Sequence, residues 1–320
     1  MSRTSADLPL YRPTAHPWCM DLPQQLLEKV PRIFGDKGRS WLPTLAGILQ
    51  RCRHKWRLAD GVPAPFMSMN YIEFTTTEAG LPVALKVGVP HDDLFTEMDA
   101  LRAYDGVGAA RFIDADHDLA AILMERARPG TMLWESGDDA EQTQIAGGVL
   151  AVLPVEPPAQ HAMPHLADQV AGAFAQNRSR FQGLMPEELM RTAEDLLSPL
   201  LEAPGGPILL HGDLHHENIL HDERRGWLAI DPKGVIGPRP YQAARLLNNR
   251  IPETATEDER AGLMMRRLDI LSDMLDCAPS TLAAATFVDC ILGTSWSFED
   301  EGSLEIEPTI MHARVLQRFI

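Results

Sequence analysis

One segment, residues 211–234, constrains this chain more than any other: it reads HGDLHHENILHDERRGWLAIDPKG. Asn218 lies five residues after Asp213, and Asp231 lies eighteen after it. The apolar runs between Asn218 and Asp231 predict a short hairpin that returns Asp231 to the start of the segment. Patterns with apolar residues at three- and four-residue spacing lie on both sides, so the segment is a loop with strands inside a helical region.

The order and spacing of these three side chains are typical of phosphoryl transfer. That reaction needs a carboxylate to orient the attacking hydroxyl, and oxygen ligands for the Mg²⁺ that bridges the phosphates. Protein kinases place an aspartate, an asparagine five residues later and a metal-binding aspartate in this order. We therefore predict Asp213 as the catalytic carboxylate, and Asn218 and Asp231 as the ligands of Mg²⁺.

The His-Gly-Asp form of this loop, followed by Asp-Pro-Lys-Gly at 231–234, resembles the aminoglycoside and hydroxyurea antibiotic-resistance kinases, the family that includes streptomycin 6-phosphotransferases. The similarity extends from the Trp-Leu-Pro segment at 41–43 to the Trp-Ser-Phe-Glu segment at 296–299. It implies transfer of phosphate from ATP to a small antibiotic. It also implies an α+β, bilobal protein-kinase-like fold with a small β-rich N-terminal lobe and a larger helical C-terminal lobe.

The first lobe, with leader helices and a nucleotide-binding sheet, is predicted over 1–126, and the helical lobe, with the catalytic loop and substrate pocket, over 127–320. The elements predicted for the first lobe are helices over 21–34 and 40–56 with a turn at 35–38, a hairpin of strands 69–77 and 83–89, a helix from Asp92, and two strands over 109–127 that end before Pro129. The second lobe is predicted to be mostly helical outside 207–234.

The same resemblance assigns the nucleotide contacts. Lys86, on the second strand of the hairpin, would contact the α and β phosphates, and Glu97 on the following helix would hold it in place. The chain crosses between the lobes near 123–127, where the backbone of Glu125 and Ala127 would bind the adenine edge. The alternatives are that Lys86 is an ordinary strand lysine, that Glu97 is a solvated helix-face glutamate, and that 123–127 is a plain strand end. No G-x-G-x-x-G precedes Lys86.

The acceptor pocket is predicted in the helical lobe, at the acidic segment that contains Trp296, Glu299, Asp300 and Glu301. Carboxylates there would pair with guanidinium or ammonium groups of a streptomycin-like substrate, and Trp296 would offer a stacking face. A solvated acidic loop is the alternative for each single acid.

Acidic residues outnumber basic ones, 45 to 29, which gives a net charge of −16 with histidine neutral. Such a surface repels phosphate backbones and anionic lipids, so we expect no nucleic acid or membrane partner, and a cationic small molecule as substrate. The four cysteines have no CxxC spacing, and no apolar run approaches the roughly eighteen residues of a membrane span. We expect a reduced, cytoplasmic protein without a signal peptide. The sequence predicts no oligomeric state.

Three other functions are alternatives to this one. Zinc chemistry is disfavoured because His216 and His221 are five residues apart, whereas the H-E-x-x-H chelate needs a spacing of four. A kinase for hydroxyurea, a sugar or another small alcohol keeps the reaction and changes the acceptor. A nucleotide-binding module without catalysis is disfavoured because it has no need of the full set of Lys86, Asp213, Asn218 and Asp231.

We predict that Asp213→Ala abolishes phosphate transfer and leaves nucleotide binding largely intact, because the carboxylate acts on the acceptor hydroxyl and not on the nucleotide. Transfer from labelled ATP and equilibrium nucleotide binding measure the two effects separately. Near-normal turnover in this variant would contradict the assignment of Asp213.

Overall fold

The computed structural model describes residues 22–153, 156–159, 161–180, 185–203, 205–301 and 306–320, without the side chains of Arg180 and residues 295–301. The strands are β1 Val62–Pro63, β2 Tyr71–Thr76, β3 Pro82–Val87, β4 Phe112–Asp116, β5 Ala121–Glu125, β6 Pro129–Met132, β7 Pro207–Leu210, β8 Ile219–Asp222, β9 Gly226–Ala229 and β10 Val235–Pro238. The helices are α1 Gln24–Trp41, α2 Leu45–Trp56, α3 Asp92–Tyr104, α4 Asp139–Val152, α5 Leu166–Arg180, α6 Glu187–Leu201, α7 Ala244–Asn248, α8 Glu257–Leu275, α9 Pro279–Glu301 and α10 Ile306–Leu316. Residues 1–20, which precede the first predicted helix, lie outside these ranges.

The N-terminal lobe is an antiparallel sheet, ordered β1-β2-β3-β5-β4, between two helical layers. Successive strand side chains point to opposite faces, so β3 serves both layers. Leu85 and its alternate neighbours pack with α1 and α2 in one core, while Ala84 packs with α3 in another. Lys86 therefore emerges on the α3 face, opposite Glu97.

The C-terminal lobe has one large apolar core, formed mainly by helices α4 to α10. Strands β7 and β10 pair antiparallel, and β6, β8 and β9 form a small sheet on which the predicted hairpin at 219–229 lies. In the described ranges, no single helix is long and apolar enough to cross a membrane, and only α8 with the 279–294 part of α9, bent by 116° against it, meets that criterion jointly.

Direct hydrogen bonds join the first lobe to the 211–234 segment. The loop after α3 is bonded to β9, since Ala229 N–H donates to Gly108 O at 2.9 Å and Ala110 N–H donates to Ala229 O at 2.9 Å. Thr96 Oγ1, on α3 itself, donates to Lys233 O at 2.6 Å. Helix α3 is therefore held against the Asp-Pro-Lys-Gly turn, and this contact fixes the position of Glu97.

Two local predictions were wrong in detail. Pro129 does not end the β pattern but begins β6, where its missing N–H is tolerated because it is the first residue of the strand. The predicted turn at 35–38 is a single-residue kink at Gly35, with φ of +56°, after which α1 continues to Trp41. Glycine permits this left-handed backbone without a Cβ clash.

We predict that Gly234→Ala lowers the free energy of unfolding by about 2–3 kcal/mol, because Gly234 has φ of +66° and an added Cβ would lie 2.7 Å from Thr96 O. The control is Gly148→Ala, on an exposed face of α4 where a Cβ would meet nothing within 4 Å. This variant should raise the free energy of unfolding by about 1 kcal/mol, because alanine favours a helix more than glycine does. Urea unfolding of both variants measures the difference. Equal effects would contradict the close contact between α3 and the turn.

Candidate active site

His211 holds the backbone of the loop that contains Asp213. It is fully buried, its Nε2–H donates to Ile230 O at 2.8 Å, and its Nδ1 accepts the Asp213 N–H at 3.3 Å. Burial lowers the pKa of His211 to about 4, so the ring is neutral and Nδ1 can accept. The His211 N–H donates to Gln242 Oε1 at 2.8 Å, so an amide at position 242 braces the loop.

Asp213 is held by a guanidinium group. Arg245 Nε donates to Asp213 Oδ1 at 3.1 Å, and Arg245 Nη1 lies 3.9 Å from the buried Asp289 Oδ2. Asp289 in turn accepts the hydroxyl of Tyr241 at 3.3 Å. Burial opposes ionisation of Asp213, but the positive charges of Lys233 and Arg245 outweigh it and lower the pKa of Asp213 to about 2. The carboxylate is thus ionised and restrained at one oxygen.

Lys86 lies between two carboxylates from different parts of the chain. Its Nζ donates to Glu97 at 2.8 Å and 2.7 Å and lies 3.3 Å from Asp231 Oδ1. Burial disfavours the ammonium charge, but Asp231 and Glu97 outweigh burial and raise the pKa of Lys86. Asp231 has φ of +57°, a left-handed conformation that aspartate adopts more readily than most residues.

Asn218 and Asp231 are brought together by the β8–β9 hairpin, since Ile230 N–H donates to Asn218 O at 2.9 Å. Asn218 Nδ2 donates to Asp213 O at 2.9 Å and lies 3.2 Å from His215 Nε2, so Oδ1 is the atom of this amide that could bind a metal ion. Among the described residues, no three His, Cys, Asp or Glu side chains form a metal-binding group. An amide oxygen and one carboxylate fit Mg²⁺, which keeps waters and phosphate oxygens in its coordination shell.

The other predicted residues lie apart from these contacts. Glu125 ends β5, where its side chain accepts from Arg225 and from the Arg111 N–H at 3.1 Å, while its own N–H donates to Arg111 O at 2.9 Å. An adenine contact at Glu125 would therefore have to use its carbonyl oxygen. Ala127 is buried just beyond it.

The segment predicted as the acceptor pocket is helical. The backbone of Trp296, Glu299, Asp300 and Glu301 lies in the C-terminal part of α9 and is not a loop. Their side chains lie outside the part of the chain that the structure describes, so their role in the acceptor pocket stays a prediction.

A family model described as aminoglycoside/hydroxyurea antibiotic resistance kinase matches residues 55–302, which is most of the chain. The chain belongs to this family, as the sequence predicts. A streptomycin 6-kinase of Streptomyces glaucescens is 28% identical over 293 residues, 90% of this chain and 94% of the relative. A hydroxyurea phosphotransferase of Kitasatospora aureofaciens is 29% identical over 287 residues, 88% of this chain and 81% of the relative.

Solved structures agree with the family at the level of the fold. Choline kinase LicA from Streptococcus pneumoniae has a TM-score of 0.56 at 13% identity, covering 85% of this chain and 98% of that one. Aminoglycoside phosphotransferase APH(4)-Ia with ADP and hygromycin B has a TM-score of 0.54 at 13% identity, covering 84% and 97%. These similarities confirm the predicted α+β, bilobal protein-kinase-like fold.

Three charged residues of this family member were not predicted to act at the site: Arg245, Lys233 and Glu217. Arg245 follows Gln242 by three residues, which places both on one face of a helix, so a cation beneath the catalytic loop could have been inferred from spacing. Lys233 stands within the Asp-Pro-Lys-Gly motif itself. The sequence predicts no role at the site for Glu217.

The depressed pKa of Asp213 predicts a specific pH dependence of stability. Its folded value of about 2 lies below the ordinary 3.8, so its contribution is present above pH 4 and is lost as the pH falls toward 2. Without nucleotide or metal, the free energy of unfolding of the wild type should fall relative to Asp213→Asn by about 1 kcal/mol between pH 6 and pH 3. Urea unfolding across this range measures it, and parallel curves would contradict the pairing.

Proposed function

We propose that this kinase transfers the γ-phosphoryl group of ATP to a hydroxyl of a cationic aminoglycoside, namely the 6-hydroxyl of streptomycin. The observation that carries the proposal is the position of Lys86 on β3, which is ion-paired with Glu97 and lies 3.3 Å from Asp231, at the end of the hairpin that follows the Asp213 loop. Two streptomycin 6-kinases, each 28% identical over 90% of this chain, support the acceptor.

Asp213 orients the acceptor hydroxyl and takes its proton. Arg245 holds Oδ1, so Oδ2 is the oxygen proposed to face the acceptor. A carboxylate with a pKa of about 2 is a weak base, which suits proton transfer late in a loose transition state, where positioning supplies most of the acceleration. Lys86, held by Glu97, neutralises phosphate charge.

Asn218 and Asp231 would hold Mg²⁺, which when bound neutralises the charge that develops on the transferred phosphoryl group. The backbone of Glu125 and Ala127 would bind the adenine. We also propose a lobe boundary after residue 126, since β5 ends the first sheet at Glu125 and β6 pairs with β8 of the second lobe.

Charge supports a cationic acceptor, because the net charge of −16 raises the local concentration of polycations. Within the acceptor pocket, we propose contacts to Trp296, Glu299, Asp300 and Glu301. A reducing, cytoplasmic location is also proposed, supported by the free thiols of Cys52, Cys277 and Cys290.

Hydroxyurea is a second candidate acceptor, because the hydroxyurea phosphotransferase is as similar to this chain, at 29% identity, as the streptomycin kinases. The reaction and the residues of the phosphate site are the same in both cases. The two proposals differ only in the pocket that faces Asp213.

The proposal predicts that purified protein with MgATP phosphorylates streptomycin in preference to hydroxyurea, hygromycin B and choline. Mass spectrometry detects the added phosphoryl group, and NMR locates it on the streptomycin 6-hydroxyl. Asp213→Asn, which keeps the shape of the side chain and removes its charge, is the matched control and should lose at least about a hundredfold in kcat. A preference for hydroxyurea would replace streptomycin as the proposed acceptor. ATP binding without transfer to any acceptor would contradict the proposal that the protein is an enzyme.

A further inference from the structure

A row of polar contacts on the catalytic loop has no role in the transfer reaction as proposed. Arg250 Nη1 donates to Glu217 Oε1 at 3.0 Å, and His215 Nδ1 lies 2.9 Å from Glu217 Oε2. The other ring nitrogen, His215 Nε2, lies 3.2 Å from Asn218 Nδ2. The row therefore ends at the amide whose oxygen is predicted to bind the metal.

The direction of each hydrogen bond in this row is fixed by chemistry. Glu217 is a carboxylate paired with Arg250, and a carboxylate can only accept, so His215 Nδ1 donates to it. His215 Nε2 faces the Asn218 amide at 3.2 Å and is the ring nitrogen placed to accept from a donor there. Only the NH₂ side of the Asn218 amide supplies one, because a flipped amide would place Oδ1 against the lone pair.

His215 has no corresponding bond to the catalytic carboxylate. Its Nε2 lies 3.9 Å from Asp213 Oδ2, which is beyond hydrogen-bond distance. The influence of the ring is therefore directed at Asn218.

We propose that Glu217 and His215 are positioning residues that fix the Asn218 amide in the orientation that presents its oxygen to a divalent cation. The inference rests on the proposed function, which supplies the cation. Removing a group that hydrogen-bonds to a metal ligand and orients it typically lowers the metal affinity 10- to 100-fold.

The test is the affinity for Mn²⁺, measured by electron paramagnetic resonance in the presence of a non-hydrolysable ATP analogue. His215→Phe should weaken Mn²⁺ binding about tenfold, because the ring can no longer accept from Asn218. His215→Gln should restore most of it, since its Oε1 can accept near the position of Nε2. Glu217→Gln should weaken it by a smaller factor, because an amide does not fix the ring proton.

Two matched controls lie on the same hairpin. His221→Phe removes a ring that packs against Trp227 and not against Asn218, and Glu223→Gln removes an exposed carboxylate, so both should bind Mn²⁺ like the wild type. The KM for the acceptor should be unchanged in His215→Phe. Thermal melting shows whether each variant folds. If His215→Phe does not fold, the Mn²⁺ affinity of Glu217→Gln is the test of the proposal.

Unchanged Mn²⁺ affinity in His215→Phe and Glu217→Gln would overturn the proposal, and a raised acceptor KM in the same variants would assign these residues to the acceptor instead. Wild-type protein that binds Mn²⁺ with the analogue but phosphorylates none of the acceptors would contradict the proposed function alone. Wild-type protein that binds no Mn²⁺ would contradict both.

Discussion

The rest of the site depends on the ion pairing of the buried Lys86 ammonium group. Removing a lysine charge from water costs several kcal/mol, and only close carboxylates offset that cost. Glu97 comes from α3 of the first lobe and Asp231 from the end of the β8–β9 hairpin of the second lobe, so the second carboxyl group reaches Lys86 only when the lobes are docked. The bond from Thr96 to Lys233 O secures the same junction. Docking of the lobes therefore completes the pair of carboxyl groups around Lys86.

A second group of charges repeats this pattern around Asp213, the proposed catalytic carboxylate. Arg245 lies between Asp213 and Asp289, as Lys86 lies between Glu97 and Asp231. In each group one basic side chain lies between two carboxyl groups from different segments, and Lys233 adds a second positive charge near Asp213. Arg245 and Lys86 hold these carboxyl groups in place before Mg²⁺ or, in our proposal, a cationic acceptor binds.

The sequence predicted the parts of the site that depend on local spacing. Asp213, Asn218 and Asp231 lie on one loop and one hairpin, so their proximity follows from a short stretch of chain, and Lys86 and Glu97 follow from a strand and the next helix. Asp289 could not be predicted, because its contact with Arg245 depends on how α7 packs against α9. The kink at Gly35 and the strand at Pro129 were missed because tertiary packing overrides turn propensity.

The roles of these residues are tested most directly by a crystal structure with Mg²⁺ and a non-hydrolysable ATP analogue. The account predicts Mg²⁺ at about 2.1 Å from Asn218 Oδ1 and from the Asp231 carboxylate, with Lys86 Nζ bonded to phosphate oxygens and still paired with Glu97. A nucleotide whose phosphates lie away from Lys86, or a metal ion held by neither Asn218 nor Asp231, would contradict it.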